Sequence, residues 1–263
     1  MASRTALISG SNSGIGAAIA RELSSRGVNI VLNYPFPNLK DDCESVGKTL
    51  QTDWIAVEAD LSTTKGPIEL VAAAVSRFGH IDVVVHNAAR FPTGPSWDVT
   101  VEDWDAAFAL NVRGTMFLNN AALPHLAPYR PLPRDKQPIT GRPGGSRIIV
   151  IGSGSSRSPQ HDAFAYMATK GALESMVKGW ALELPSKYGC TVNGVWPGPT
   201  YTELMKKLAT PEILRATFAD RTPVEGCMAE PEDVATAVAF LAEPSTKWIN
   251  GEIIMVNGGF IMI

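Results

Sequence analysis

Seven short runs dense in Val and Ile constrain this chain's fold more than any other feature. They are "TALIS" (5–9), "VNIVLN" (28–33), "WIAVE" (54–58), "IDVVVH" (81–86), "RIIVIG" (147–152), "TVNGVW" (191–196) and "EIIMV" (252–256). Each is apolar almost throughout, not at alternate positions, which is the pattern of a strand covered on both faces in a parallel sheet. Between them lie stretches with helical character, among them 15–26, 67–78 and 163–184. Strand–helix alternation predicts an α/β fold: a doubly wound parallel sheet of about seven strands, with right-handed crossovers and helices on both faces. At 263 residues and 45% hydrophobic, the chain is long enough to bury one sizeable core, and we read 1–263 as a single domain.

Several function classes are disfavoured. The net charge is −3, so no broad basic surface is expected for nucleic acid. No apolar run approaches the roughly 20 residues needed to cross a bilayer. The first residues run into an apolar strand without the pattern of a secretory leader. The three cysteines, Cys43, Cys190 and Cys227, are odd in number, widely spaced and not in metal-ligand pairs. The expectation is a soluble, cytoplasmic protein with no metal, acting on a small molecule. One segment stands apart: 127–145, "APYRPLPRDKQPITGRPGG", carries five prolines. It is read as an insertion joining a helix to the fifth strand, at the amino ends of the strands and away from ligand.

The first strand runs into "SGSNSGIG" (9–16), and a helix follows. Gly10, Gly14 and Gly16 would permit a tight turn and, with Ile15, bring backbone against a pyrophosphate at a helix N-terminus, while Ser11, Asn12, Ser13 and the distant Lys40 are the candidates for a 2′-phosphate. An Asp or Glu about 20 residues further on would hold a free 2′-hydroxyl of the adenosine ribose. Here the second strand ends in Asn33 and Tyr34, and the next acid is Asp41. The missing carboxylate favours NADP(H); NAD(H) stays possible, because no arginine stands beside that position.

In "AFAYMATKGALE" (163–174), Tyr166 and Lys170 are four residues apart and would share one face of a helix. An adjacent ammonium favours tyrosinate and would lower the phenol's pKa from its usual value of about 10. Such a tyrosine can give a proton to a ketone oxygen, or take one from an alcohol.

Together these residues resemble the short-chain dehydrogenase/reductase family in its single-domain, Rossmann-fold form, over nearly the whole chain. The likeness includes Asp60-Leu61 after the third strand, "HNAA" (86–89) after the fourth, Asn111 in "LNVRG", and Ser153 thirteen residues before Tyr166. It continues into "NGVWPGPTYT" (193–202). The resemblance implies a hydride-transfer enzyme with a Ser153–Tyr166–Lys170–Asn111 catalytic set. Ser153 would hold the substrate oxygen, Lys170 the nicotinamide ribose, and Asn111 a water linking Lys170 to solvent. Asp60, Leu61, Asn87, Ala88, Pro197, Gly198, Thr200 and Thr202 would line the nucleotide. His86 and Ala89 depart from the family's Asn-Asn-Ala-Gly; His86 is read as a satisfied strand-end residue, and Ala89 adds a methyl close to the cofactor. The resemblance also implies a homotetramer or homodimer, paired through helices beginning near Asn111 and Ala163. On the second of these, Ala168, Gly171, Ala172 and Gly179 would allow close approach.

A non-redox descendant of such an enzyme (a cyclase, an isomerase or a binding protein) is the competing reading. Residues of about 198–225 are expected to cover the substrate, with Leu204, Met205, Leu208, Ile213, Leu214 and Phe218 at helical spacing. Phe91, Trp97 and Trp196 are candidate aromatic walls, and His161 and Asp162 lie near the mouth. This suits a medium-sized apolar or aromatic ketone of secondary or lipid-type metabolism.

Overall fold

The computed structural model describes residues 4–127 and 145–262, so 128–144 of the proline-rich segment lie outside the described residues. The seven Val/Ile runs form β1 (Thr5–Ile8), β2 (Asn29–Tyr34), β3 (Trp54–Glu58), β4 (Val83–His86), β5 (Arg147–Ile151), β6 (Thr191–Pro197) and β7 (Ile253–Val256). They build one parallel sheet of order β3-β2-β1-β4-β5-β6-β7. The connections carry α1 (Gly14–Ser25), α2 (Lys40–Gly47), α3 (Gly66–Phe78), α4 (Val101–Phe108), α5 (Thr115–Ala122), α6 (Phe164–Glu183), α7 (Pro185–Tyr188), α8 (Glu203–Leu208), α9 (Pro211–Thr217) and α10 (Pro231–Ala242).

Two apolar layers explain why the strands read as continuous runs. Along β1, Ala6 and Ile8 pack with α1 and α10 on one face, while Leu7 faces the layer of α3, α5 and α6. Along β5, Ile149 and Ile151 face the first layer and Ile148 and Val150 the second. A strand covered on both sides gives few positions to polar residues. Strand order reverses between β1 and β4, which opens a crevice beyond the carboxyl ends of the strands.

Two local features differ from the sequence reading. The helix expected to begin near Asn111 begins at Val101, capped by Thr100, and passes through a π-helical turn at Ala109–Gly114 before continuing as α5. The apolar stripe after β6 is broken into α8 and α9, because Thr210 caps the second helix and Pro211 starts it.

Candidate active site

A cleft of about 1120 Å³ lies over the crevice. Its nucleotide end is built by the glycine loop. Gly10 and Gly14 have φ of +60° and +53°, a conformation glycine reaches without strain. A Cβ at Gly16 would stand 2.4 Å from the Gly10 carbonyl oxygen and 2.6 Å from Asn87 Nδ2. Ser13 makes no side-chain cap on α1, so no side chain competes for the first-turn amides that face the cleft. Close backbone, a helix N-terminus and uncapped amides fit a pyrophosphate.

The loop is braced from behind. Asn87 Nδ2 donates to the carbonyls of Ser9 (3.0 Å) and Gly10 (2.8 Å), and Ser9 Oγ accepts from the amides of Asn87 (2.9 Å) and Ala88 (3.0 Å). Ser11 is buried, donating to the Ile8 carbonyl and accepting from the Asn33 amide, both at 2.9 Å. Asn33 has spent its carboxamide: Oδ1 accepts from the Gly10 amide (3.0 Å) and Nδ2 donates to the Ala59 carbonyl (3.0 Å). Ser11 and Gly16 therefore stand behind the lining, and Asn33 reaches it with no polar atom to spare. Tyr34, expected at the nucleotide, packs instead in the core with Cys43 and Val46. Pro35, Phe36 and Leu39 face the cleft in its place. Among the described lining residues the cations are Arg90 and Lys170, neither on the segment after β2. Asn12, Ile15, Asp60, Leu61, Ala88, Pro197, Gly198, Thr200 and Thr202 also line the cleft, as does Ala89. Thr202 approaches the glycine loop from the far side, 3.6 Å from where a Gly14 Cβ would be.

At the other end, Ser153 leads the turn after β5, and Tyr166 and Lys170 project from α6. Ser153 Oγ lies 2.8 Å from Ser155 Oγ and lines the cleft with Tyr166; Phe91 packs on the Tyr166 ring (4.5 Å between centroids), and Lys170 Nζ lies 5.4 Å from that ring's centroid. Lys170 Nζ donates to the Ile151 carbonyl at 2.8 Å. The expectation that Lys170 lowers the Tyr166 pKa is not met. Burial pushes the phenol up to about 12, with the Ser153 hydroxyl pulling the other way, and burial brings the ammonium down to about 7. Lys170 bonds a neutral carbonyl and is itself poorly disposed to carry charge, so it lends Tyr166 little. Near pH 7 the phenol therefore keeps its proton, ready for donation, beside an amine that exchanges protons freely.

Asn111 stands behind the lining at the π-turn. Its Nδ2 donates to the Arg90 carbonyl (2.9 Å) and to Thr169 Oγ1 (3.0 Å), and its Oδ1 accepts from the Arg90 amide (2.8 Å). Thr169 Oγ1 in turn donates to the Tyr166 carbonyl at 2.7 Å, so Asn111 braces α6 against the segment after β4. His86 is only half satisfied: Nε2 is 3.5 Å from Asn119 Oδ1, Nδ1 has no partner, and burial holds its pKa near 4.

The substrate end is mostly apolar: Phe91, Leu204, Met205, Leu208, Leu214 and Phe218 line it, and Ile213 turns outward. His161 and Asp162 reach the lining, as expected of the mouth. Trp97 is 82% exposed and Trp196 fully buried, so neither is a wall. Sequence reading missed Ser9, whose signal is a lone hydroxyl at the end of β1, and Phe36, which only the turn after β2 brings into the cleft.

A family model described as enoyl-(acyl carrier protein) reductase matches residues 10–261. The chain is 33% identical to the short-chain dehydrogenase/reductase FrzI of Cladobotryum sp, covering 99% of this chain and 96% of that protein. It is 33% identical to elsinochrome reductase 1 of Elsinoe fawcettii, covering 98% and 95%. Among solved structures, it superposes on a blue fluorescent protein from a metagenomic library, in complex with NADPH, with a TM-score of 0.83 and 30% identity over 98% of each chain. Matched over nearly its full length by that family model and by these relatives, the chain belongs to the short-chain dehydrogenase/reductase family and is an oxidoreductase enzyme.

Proposed function

We propose that this enzyme is an NADP(H)-dependent reductase of a medium-sized apolar or aromatic ketone, serving secondary or lipid-type metabolism. The carrying observation is that Ser153, Tyr166 and Lys170 line one cleft, with Lys170 Nζ 5.4 Å from the Tyr166 ring centroid, and that the neighbouring lining is apolar. When bound, the nicotinamide supplies the hydride. Ser153 and Tyr166 hold the carbonyl oxygen from two sides, and Tyr166 delivers its proton to that oxygen as negative charge builds there. Lys170, with a pKa near 7, returns a proton to the phenol. Residues 198–225, including α8 and α9, close over the substrate and exclude water. The absence of an acid among Pro35, Phe36 and Leu39 supports NADP(H) over NAD(H). A relative named as a reductase, and a structural neighbour holding NADPH, support the same direction and cofactor. Buried free thiols at Cys43 and Cys190 agree with a reducing, cytoplasmic setting.

Binding titrations with NADPH and NADH, followed by a panel of ketones, test the proposal. NADPH should bind more tightly, and Pro35→Asp should weaken NADPH about ten-fold while sparing NADH, by repelling the 2′-phosphate. Tyr166→Phe should cut turnover about a hundred-fold or more with the NADPH dissociation constant nearly unchanged. Equal affinities for the two nucleotides would refute the cofactor assignment. An active Tyr166→Phe variant would refute the proton donor, and a parent enzyme that binds NADPH but reduces no ketone would favour a non-redox role for the fold.

A further inference from the structure

Trp196 is the largest fully buried side chain of the protein, and it lies directly beneath the Ser153 turn. Its indole occupies a slot made by two glycines. Gly152 stands opposite Trp196, continuing the Ile151–Val195 register of β5 and β6, and Gly194 precedes it by two residues on the same face of β6. A Cβ at Gly152 would stand 2.2 Å from the indole, and one at Gly194 would stand 2.1 Å from it. The ring therefore packs flat on bare backbone, and side chains at either position would exclude it.

The indole nitrogen decides the direction of a short chain of hydrogen bonds. Trp196 Nε1 is 2.9 Å from Ser156 Oγ, and an indole N–H can only donate. Ser156 Oγ must accept it, so its own hydrogen is directed to the Ser153 carbonyl, also at 2.9 Å. The Ser156 amide converges on that same carbonyl at 3.2 Å. On the other side of the peptide, Ser153 Oγ accepts from the Ser155 amide at 3.2 Å, lies 2.8 Å from Ser155 Oγ, and lines the cleft with Tyr166. The Ser153 backbone is thus held from the core while its hydroxyl faces the cleft.

We propose that Trp196, acting through Ser156, is a positioning residue that fixes the Ser153 hydroxyl against Tyr166, and that Gly152 and Gly194 exist to admit it. This rests on the reductase reading above, in which Ser153 holds the carbonyl oxygen. Without the link, Ser153 would swing away from Tyr166 for part of the time, and a 1 Å displacement at a reacting centre is costly.

The test compares Trp196→Phe, Ser156→Ala and Ser156→Thr with the parent and with Tyr166→Phe. Trp196→Phe keeps a ring in the slot and removes the N–H; Ser156→Thr keeps the hydroxyl. Turnover of a ketone should fall about ten-fold in Trp196→Phe and Ser156→Ala, with the NADPH dissociation constant unchanged, and should return in Ser156→Thr. In the reverse reaction, the pH at which the rate rises should move upward in Ser156→Ala, because the Ser153 hydroxyl, which lowers the Tyr166 pKa, is no longer held in place. If Trp196→Phe does not fold, the Ser156 pair decides alone. Unchanged turnover in Ser156→Ala, or turnover lost together with NADPH binding, would overturn the positioning role. A parent enzyme that binds NADPH but reduces no ketone would instead overturn the reductase reading beneath it, so the two failures are distinct.

Discussion

Tyr166 and Lys170 sit one helical turn apart, and the cleft acts on both by the same physics: it disfavours charge. The phenol is pushed to about 12 and the ammonium down to about 7. The second shift has a measurable consequence for stability. Lys170 ordinarily titrates at 10.5, so between about pH 7 and that value the unfolded chain holds a proton that the folded chain has released. Stability contributed by this site therefore rises with pH across that window, and is lowest where the buried amine is forced to be charged. In the nucleotide-free protein, Lys170→Met should raise the melting temperature most at and below pH 7, with the gain shrinking toward pH 9. Above about pH 9, Cys43 and Cys190, pushed up to about 12 and about 11 by burial, add an opposite slope that is common to both proteins. A gain independent of pH would show that Lys170 is not buried without a counter-charge. The site residues themselves were legible as letters: Ser153, Tyr166 and Lys170 all reach the cleft. Their protonation was not, because spacing on a helix says nothing about how much solvent is excluded.

At the scale of elements, the β1–turn–α1 unit is the clearest case of sequence dictating shape. Three glycines serve two needs there: positive φ at Gly10 and Gly14, and close approach at Gly16. Gly16→Ala would drive a methyl into the Gly10 carbonyl and the Asn87 carboxamide, which together hold the loop closed. It should weaken NADPH and NADH alike, by about ten-fold or more, leaving their ratio unchanged because the pyrophosphate is common to both. A titration in which only one nucleotide weakens would mean that Gly16 acts at the ribose instead. The π-turn at Ala109–Gly114 had no such signature. It is stabilised by tertiary partners: Asn111 reaches Arg90 and Thr169, and Gly114 packs so closely that a Cβ would stand 2.4 Å from the Leu61 carbonyl oxygen.

For the whole molecule, the open question is assembly, which we propose to be a homodimer or homotetramer paired partly through α6. Cβ atoms placed on Gly171 or Gly179 would meet nothing within 4 Å, so these glycines do not serve packing inside one subunit. Glycine in a helix interior costs about 1 kcal/mol relative to a good helix former. Gly171→Gln should therefore stabilise an isolated subunit slightly, yet break a close-packed helix pair. Light scattering should report a smaller particle; an unchanged particle with a higher melting temperature would place the interface elsewhere. No helix among the described residues is long and apolar enough to cross a membrane.

The sequence by itself determined the strand set, the doubly wound architecture, the glycine loop and the Ser–Tyr–Lys trio. Each rests on local periodicity or on fixed spacing along one element, and a single chain carries both in full. Tertiary structure decided the rest. Tyr34 closes a core while Pro35 and Phe36 face the cleft, because the strand ends at Tyr34 and the chain turns after it. Asn33 and Asn87 proved to be braces, since each amide has nearby backbone carbonyls to satisfy. Trp196, an apparent pocket wall in the sequence, became a buried anchor because Gly152 and Gly194 leave bare backbone beneath it. Which face a side chain takes, and which hydrogen bonds it has left to give, are set by neighbours distant in sequence, and only the packed molecule brings them together.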